Sequence, residues 1–224
     1  MNEHYEKMWR QGMAAFEQQK FNLDKQIGSL ADTRRGITLL ARLSQPVKNT
    51  ATQFLTELNE ICPAQYCYPQ TDIHLTIMSI VSCHSDYIFD AATANQYLVA
   101  LQQQLVGMPI MTVDFTGITV SDAAVLLTGY TSQEYLMGLR SKVRETVLNA
   151  GLHHSMDSRY RIETAHSTIF RFCKQPENSQ DLIQFLQRNK HRKFGDMRVD
   201  SLELVFNDWY QTEAHTKLIG KIKL

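Results

Sequence analysis

Two stretches decide the reading of this chain: DIHLTIMSI at residues 72–80 and RIETAHSTIFRF at residues 161–172. Each is apolar and of strand length. Each also carries His, one residue, Thr and then Ile: His74-Leu75-Thr76-Ile77 in the first, His166-Ser167-Thr168-Ile169 in the second. Side chains alternate faces along a strand, so His74 shares a face with Thr76, and His166 shares one with Thr168.

The surroundings repeat as well. GITLLARL (Gly36–Leu43) precedes the first stretch as a strand. Ser44 then stands as an N-cap with Pro46 in the first turn, and Val47, Ala51, Phe54, Leu55 and Leu58 fall on one helical face. After the motif strand come a helix over about 90–106 and a strand in which Met111, Val113 and Phe115 alternate. The order then recurs. AAVLLTGY (Ala123–Tyr130) is a strand, and Thr131 with Glu134 makes a capping box. Leu136, Leu139, Val143 and Val147 stripe a helix closed by Gly151, and the second motif strand follows. A helix over about 179–189 comes next. Met197 and Val199, then Leu202, Leu204 and Phe206, read as one strand with a shift of phase, and 217–224 as a last strand.

Strand–helix–strand–helix–strand written twice predicts an α+β fold. Its two lobes are related by a pseudo-two-fold axis, with mixed or antiparallel sheets around a central cleft. Residues 36–224 form that single bilobal domain. Residues 1–35 form an N-terminal extension: Tyr5, Met8, Trp9, Met13 and Phe16 follow helical spacing, and 21–35 reads as a loop.

Composition removes several function classes. Of 224 residues, 23 are Lys or Arg and 23 Asp or Glu, so the formal net charge is zero and long stretches of duplex backbone are poor partners. The opening MNEHYEKMWRQG has no apolar signal region, and no apolar run is long enough to span a bilayer. Cys62, Cys67, Cys83 and Cys173 form no C-x-x-C pair and read as reduced thiols of a cytoplasmic protein.

A lone strand histidine is most often structural, and a lone strand threonine reflects propensity. Matched pairs at matched positions argue for chemistry instead. Two imidazoles on opposite sides of a phosphorus atom suit in-line displacement at a phosphodiester, one taking a proton and the other giving one. Threonine hydroxyls donate to the non-bridging oxygens, where charge must be held. Spacing does not say which histidine is acid and which is base.

Paired H-x-[ST]-hydrophobic motifs on strands of a duplicated domain resemble the 2H phosphoesterases, which include 2′-5′ RNA ligase-like proteins and cyclic phosphodiesterases. The resemblance covers about residues 36–224, including the closing strand, Tyr210 turn and final strand. It implies an enzyme that hydrolyses or transfers at 2′,3′-cyclic phosphates or 2′-5′ linkages without metal or other cofactor. It implies His74 and His166 as catalytic residues, with Thr76 and Thr168 on the phosphate. Ser167 departs from the pattern, which has an apolar residue there, but it faces away from the cleft. The partner expected is a small nucleotide or an RNA terminus, not a membrane. A non-catalytic module holding such a terminus in the same cleft is the alternative, and a phosphoesterase for non-nucleotide esters is a second.

Other residues divide between plain and functional readings. Tyr68, with Tyr66, stacks a nucleobase or packs a lobe edge. Arg159, Arg161 and Arg171 flank the second motif, but strand parity turns Arg161 and Arg171 away from the cleft. Cys83-His84 reads as a buried thiol beside a surface histidine. His153-His154 with Cys173 or His166 fits no closed zinc set. KHRK at 190–193 reads as a solvated helix end.

Overall fold

The computed structural model describes residues 2–158 and 161–224. Its helices are α1 (Asn2–Glu17), α2 (Gln45–Ile61), α3 (Ala91–Leu105), α4 (Gln133–Asn149) and α5 (Ser179–Asn189). The strands are β1 (Arg35–Arg42), β2 (Tyr66–Cys67), β3 (His74–His84), β4 (Met111–Val120), β5 (Ala124–Tyr130), β6 (Ala165–Arg171), β7 (Lys193–Val199), β8 (Ser201–Asp208) and β9 (Lys217–Lys223). They form two sheets, one ordered β3-β1-β8-β9 and the other β2-β6-β5-β4-β7. Every pairing is antiparallel, so the mixed-sheet option falls away.

The lobes are not the two sequence repeats. β4 closes the first repeat but pairs with β5 of the second, and β8 closes the second but pairs with β1 of the first. The orders β3-β1-β8-β9 and β6-β5-β4-β7 therefore match once the last strands are exchanged, with β2 added at the β6 edge. Helices cross as well: Phe54 of α2 packs on Phe185 of α5 and Phe194 of β7, on the five-stranded sheet.

The phase shift read within one strand marks this crossing. Asp200 alone separates β7 from β8, which lie in different sheets. Met197 and Val199 are buried from β7 and Leu202 and Leu204 from β8, so the slip in alternation is a change of sheet. Two caps also differ from expectation. Ser132, not Thr131, caps α4 by accepting from Tyr135 N–H, and the Ser44 hydroxyl, instead of capping α2, donates to the Asp196 carbonyl at 3.0 Å.

α1 docks on the five-stranded sheet through Tyr5, Trp9, Met13 and Phe16, all buried, while Met8 is only half-buried. Each such side chain is worth about 1.5–3 kcal/mol when fully buried. A Cβ on Gly12 would lie 2.7 Å from the Val120 carbonyl oxygen, so glycine permits the close approach. The expected solvated helix end at 190–193 is tied down instead: Lys190 pairs with Glu6 at 2.9 Å and Arg192 with Glu57 at 2.6 Å. Among the described residues, no helix is long and apolar enough to cross a membrane.

Candidate active site

β3 and β6 are the neighbouring strands of the two sheets, and their motif faces open into one cleft of about 170 Å³. His74, Thr76, His166 and Thr168 all line it, as does Tyr68. Ser167 faces away and is 1% exposed, yet its hydroxyl donates to the His74 carbonyl at 2.7 Å. The polar residue at that position is thus a stitch between the two motif strands.

Strand β6 begins later than the sequence implies, at Ala165, because the carbonyls of Ile162 and Thr164 are turned inward to a buried arginine. The parity argument against Arg171 also fails. Thr168 pairs with Leu126 and Phe170 with Val125, so Ile169 is an unpaired bulge residue. Beyond it the faces swap, and Arg171 joins His166 and Thr168 in the cleft. β3 does the same: Thr76 pairs with Leu40 and Met78 with Leu39, which leaves Ile77 as the bulge and turns Ser79 inward. Both strands therefore present His, Thr and a third side chain, Ser79 in one and Arg171 in the other. Arg161 is exposed and lies before β6 begins, where strand parity does not apply, and Arg159 lies outside the described residues.

Each imidazole is anchored through Nδ1 to the residue two before it. His74 Nδ1 lies 2.6 Å from the Asp72 carbonyl oxygen, and His166 Nδ1 lies 2.7 Å from Thr164 Oγ1. A carbonyl only accepts, so His74 Nδ1 carries the proton and Nε2 presents a lone pair. A hydroxyl donates or accepts, so His166 is free to take either tautomer or both protons. Neither Nε2 nor either threonine hydroxyl has a protein partner among the described residues. Burial lowers both imidazoles to about 4; Arg42 and Arg171 add to this at His74, and Arg140, His74 and His4 add to it at His166. Both are therefore neutral in the resting site at pH 7.

Tyr68 is buried with its ring edge-on to Tyr66, and its hydroxyl accepts from Arg171 Nε at 2.9 Å. That places it behind the guanidinium. Trp209 lines the mouth of the cleft with the Arg34 guanidinium 5.0 Å from its ring centre. The loop after α1 reaches this rim, where Tyr210 donates to Asp24 at 2.8 Å and Arg34 donates to Tyr210 at 3.2 Å. Cys83 is buried and His84 exposed. Among the described residues, no group of three or more His, Cys, Asp and Glu side chains is placed to hold a metal ion.

Sequence comparison is silent: no protein-family model and no curated protein matches the chain. Structure is not. TT0787 of Thermus thermophilus superposes with a TM-score of 0.60 at 13% identity, over 84% of this chain and 97% of that one. LigT of E. coli, crystallised with 3′-AMP, gives 0.57 at 12% identity, over 85% of this chain and 98% of LigT. A protein described as a phosphoesterase gives 0.55 at 12%, over 85% and 95%. The chain has the 2H phosphoesterase fold. Its two-sheet architecture is that of the group its paired motifs resemble.

Proposed function

We propose that this chain is a 2H-type phosphodiesterase that opens a cyclic phosphate, or cleaves a 2′-5′ linkage, on a nucleotide or RNA end without a metal ion. The observation that carries this reading is the convergence of His74, Thr76, His166 and Thr168 on one cleft, each imidazole anchored through Nδ1. We read residues 36–224 as one duplicated domain with a pseudo-two-fold axis through that cleft, residues 1–35 as a brace on it, and the cytoplasm as its place of action.

The proton inventory supports one division of roles. In hydrolysis of a 2′,3′-cyclic phosphate, His74 Nε2 takes a proton from water as its oxygen bonds to phosphorus. The bond from phosphorus to one ribose oxygen breaks, and that oxygen takes the proton of the His166 imidazolium, which leaves a phosphomonoester. Thr164 Oγ1 accepts from Nδ1–H of that imidazolium. The Thr76 and Thr168 hydroxyls and the Arg171 guanidinium hold the non-bridging oxygens as charge builds. Trp209 offers a ring for the base. LigT has been crystallised with 3′-AMP, ATP and phosphate, which supports a nucleotide phosphate as the ligand here.

The non-catalytic reading has one observation in its favour: with both imidazoles neutral in the free cleft, no proton donor stands ready. A bound phosphate changes this, because its negative charge raises the affinity of the adjacent ring for a proton. The test is turnover of 2′,3′-cyclic nucleotides by the wild type and by folded His74→Gln and His166→Gln variants, with and without EDTA. Loss of turnover in both variants, a bell-shaped pH profile and indifference to EDTA support the enzyme. Binding without turnover across a panel of cyclic phosphates supports the module, and turnover confined to sugar or lipid phosphates supports a non-nucleotide hydrolase.

A further inference from the structure

Arg140 is 0% exposed, among the largest fully buried side chains of the protein. Buried arginines ordinarily sit against a carboxylate, because an unpaired buried charge costs several kcal/mol. Among the described residues this one has none within hydrogen-bonding reach, and the Asp157 carboxylate, tied to Arg144, acts on it only through space. Its guanidinium spends its donors on four backbone carbonyls: Nε on Ile77 at 3.0 Å, Nη1 on Ile162 at 3.1 Å, and Nη2 on Thr76 at 3.2 Å and Thr164 at 2.9 Å. Two of those carbonyls belong to β3, at the phosphate-binding threonine and the bulge residue after it. The other two belong to the segment that leads into His166 and supplies its Nδ1 partner. Burial lowers the guanidinium to about 10, which still leaves it charged at neutral pH.

We propose that Arg140 is a positioning residue of this site. It clasps the two motif strands at a set spacing and provides a fixed positive charge behind the cleft, which acts on the Asp157 carboxylate of the cleft wall and on a phosphate bound between the two rings. This rests on reading the cleft as a phosphate site and adds a residue that touches no reacting atom. The planar fork suits the clasp, since five N–H donors in fixed directions reach carbonyls on two separate segments, and a lysine ammonium cannot span them. The charge acts mainly on His166. The charged and titratable groups felt there are Arg140 from α4, His74 from β3 and His4 from α1. The corresponding groups at His74 are Arg42, Arg171 and Asp208, so Arg140 is not among the main charges acting on that ring.

Spacing and charge separate in two variants, Arg140→Lys and Arg140→Met, followed by NMR titration of the imidazoles in the protein without substrate. In the Met variant the His166 midpoint should rise by on the order of one unit, while His74 stays in place. In the Lys variant both midpoints should stay low. Inorganic phosphate should bind about tenfold more weakly to the Met variant and nearly normally to the Lys variant, whereas kcat on a cyclic nucleotide should fall in both. A His166 midpoint unmoved in the Met variant, or equal phosphate affinity in all three proteins, overturns the charge role; full kcat in the Lys variant overturns the clasp. If neither variant folds, the wild type still decides, because a clasped Arg140 keeps a slowly exchanging Nε–H signal and a surface-like exchange rate refutes it. Titration, phosphate binding and exchange need no turnover, so they judge Arg140 even if the cyclic-nucleotide assay is negative.

Discussion

The two motif strands share a backbone plan and differ in what surrounds it. β3 and β6 both run His, Thr, a bulge at Ile and a third inward residue. Yet His74 is held by a backbone carbonyl and His166 by a hydroxyl, and the third residue is Ser79 in one and Arg171 in the other. The shared part puts a His–Thr pair from each strand on one cleft. The differing part breaks the symmetry, with a fixed tautomer on one side and an adaptable ring on the other, while arginines act on both, Arg42 and Arg171 on His74 and Arg140 on His166. That division suits a base facing an acid.

The comparison breaks most sharply at the rings. His74→Gln and His166→Gln should each lower kcat by about 10²–10⁴-fold with the fold retained by circular dichroism. Wild-type turnover in either would remove it from the reaction. At the third position, Arg171→Met should lower kcat/KM by roughly 10–100-fold, mainly through KM, because it removes charge-assisted bonds to the phosphate. Ser79→Ala should change it by less than about threefold. Equal effects at the two positions would erase the asymmetry.

Thr164→Val is nearly isosteric and removes the Nδ1 partner of His166. A loss of about 1–1.5 kcal/mol of orientation corresponds to roughly tenfold in kcat, read on the limb of the pH profile that belongs to the acid. His74 has no such sensitivity, since its partner is main chain. In stability the two rings act alike. Both have folded values near 4, below the ordinary 6.5, so the unfolded chain binds more protons between those limits. Stability to urea should therefore be full above about pH 6.5, fall as pH drops toward about 4, and fall less steeply in either Gln variant. The smallest effect is at the stitch: Ser167→Ala should cost about 1 kcal/mol in urea unfolding, with kcat reduced a few-fold at most.

What was readable in the sequence was local. Apolar runs of strand length located β1, β3 and β5, alternation located β4, and helical stripes located α2 through α5 to within a residue or two, because each pattern is set by the element's own burial. The paired motif was equally plain. Pairing between strands was not. Nothing in Met111–Phe115 says that β4 crosses to the other sheet, and the phase slip at Asp200 was visible while its cause was hidden. The bulges at Ile77 and Ile169 escaped for the same reason: a bulge is defined against the partner strand, so simple parity turned Arg171 the wrong way. Arg140 did leave a signal. It sits four residues after Leu136 and three before Val143, inside the apolar stripe of α4, where a charged side chain has no business without a task.

The central claim is that one phosphate sits between the two rings, and a crystal structure of the protein with 3′-AMP tests it most directly. The account predicts phosphorus between His74 and His166, its oxygens within about 3 Å of both Nε2 atoms and both threonine hydroxyls. A phosphate bound outside the cleft, or held by one ring with the other turned into the core, would contradict it.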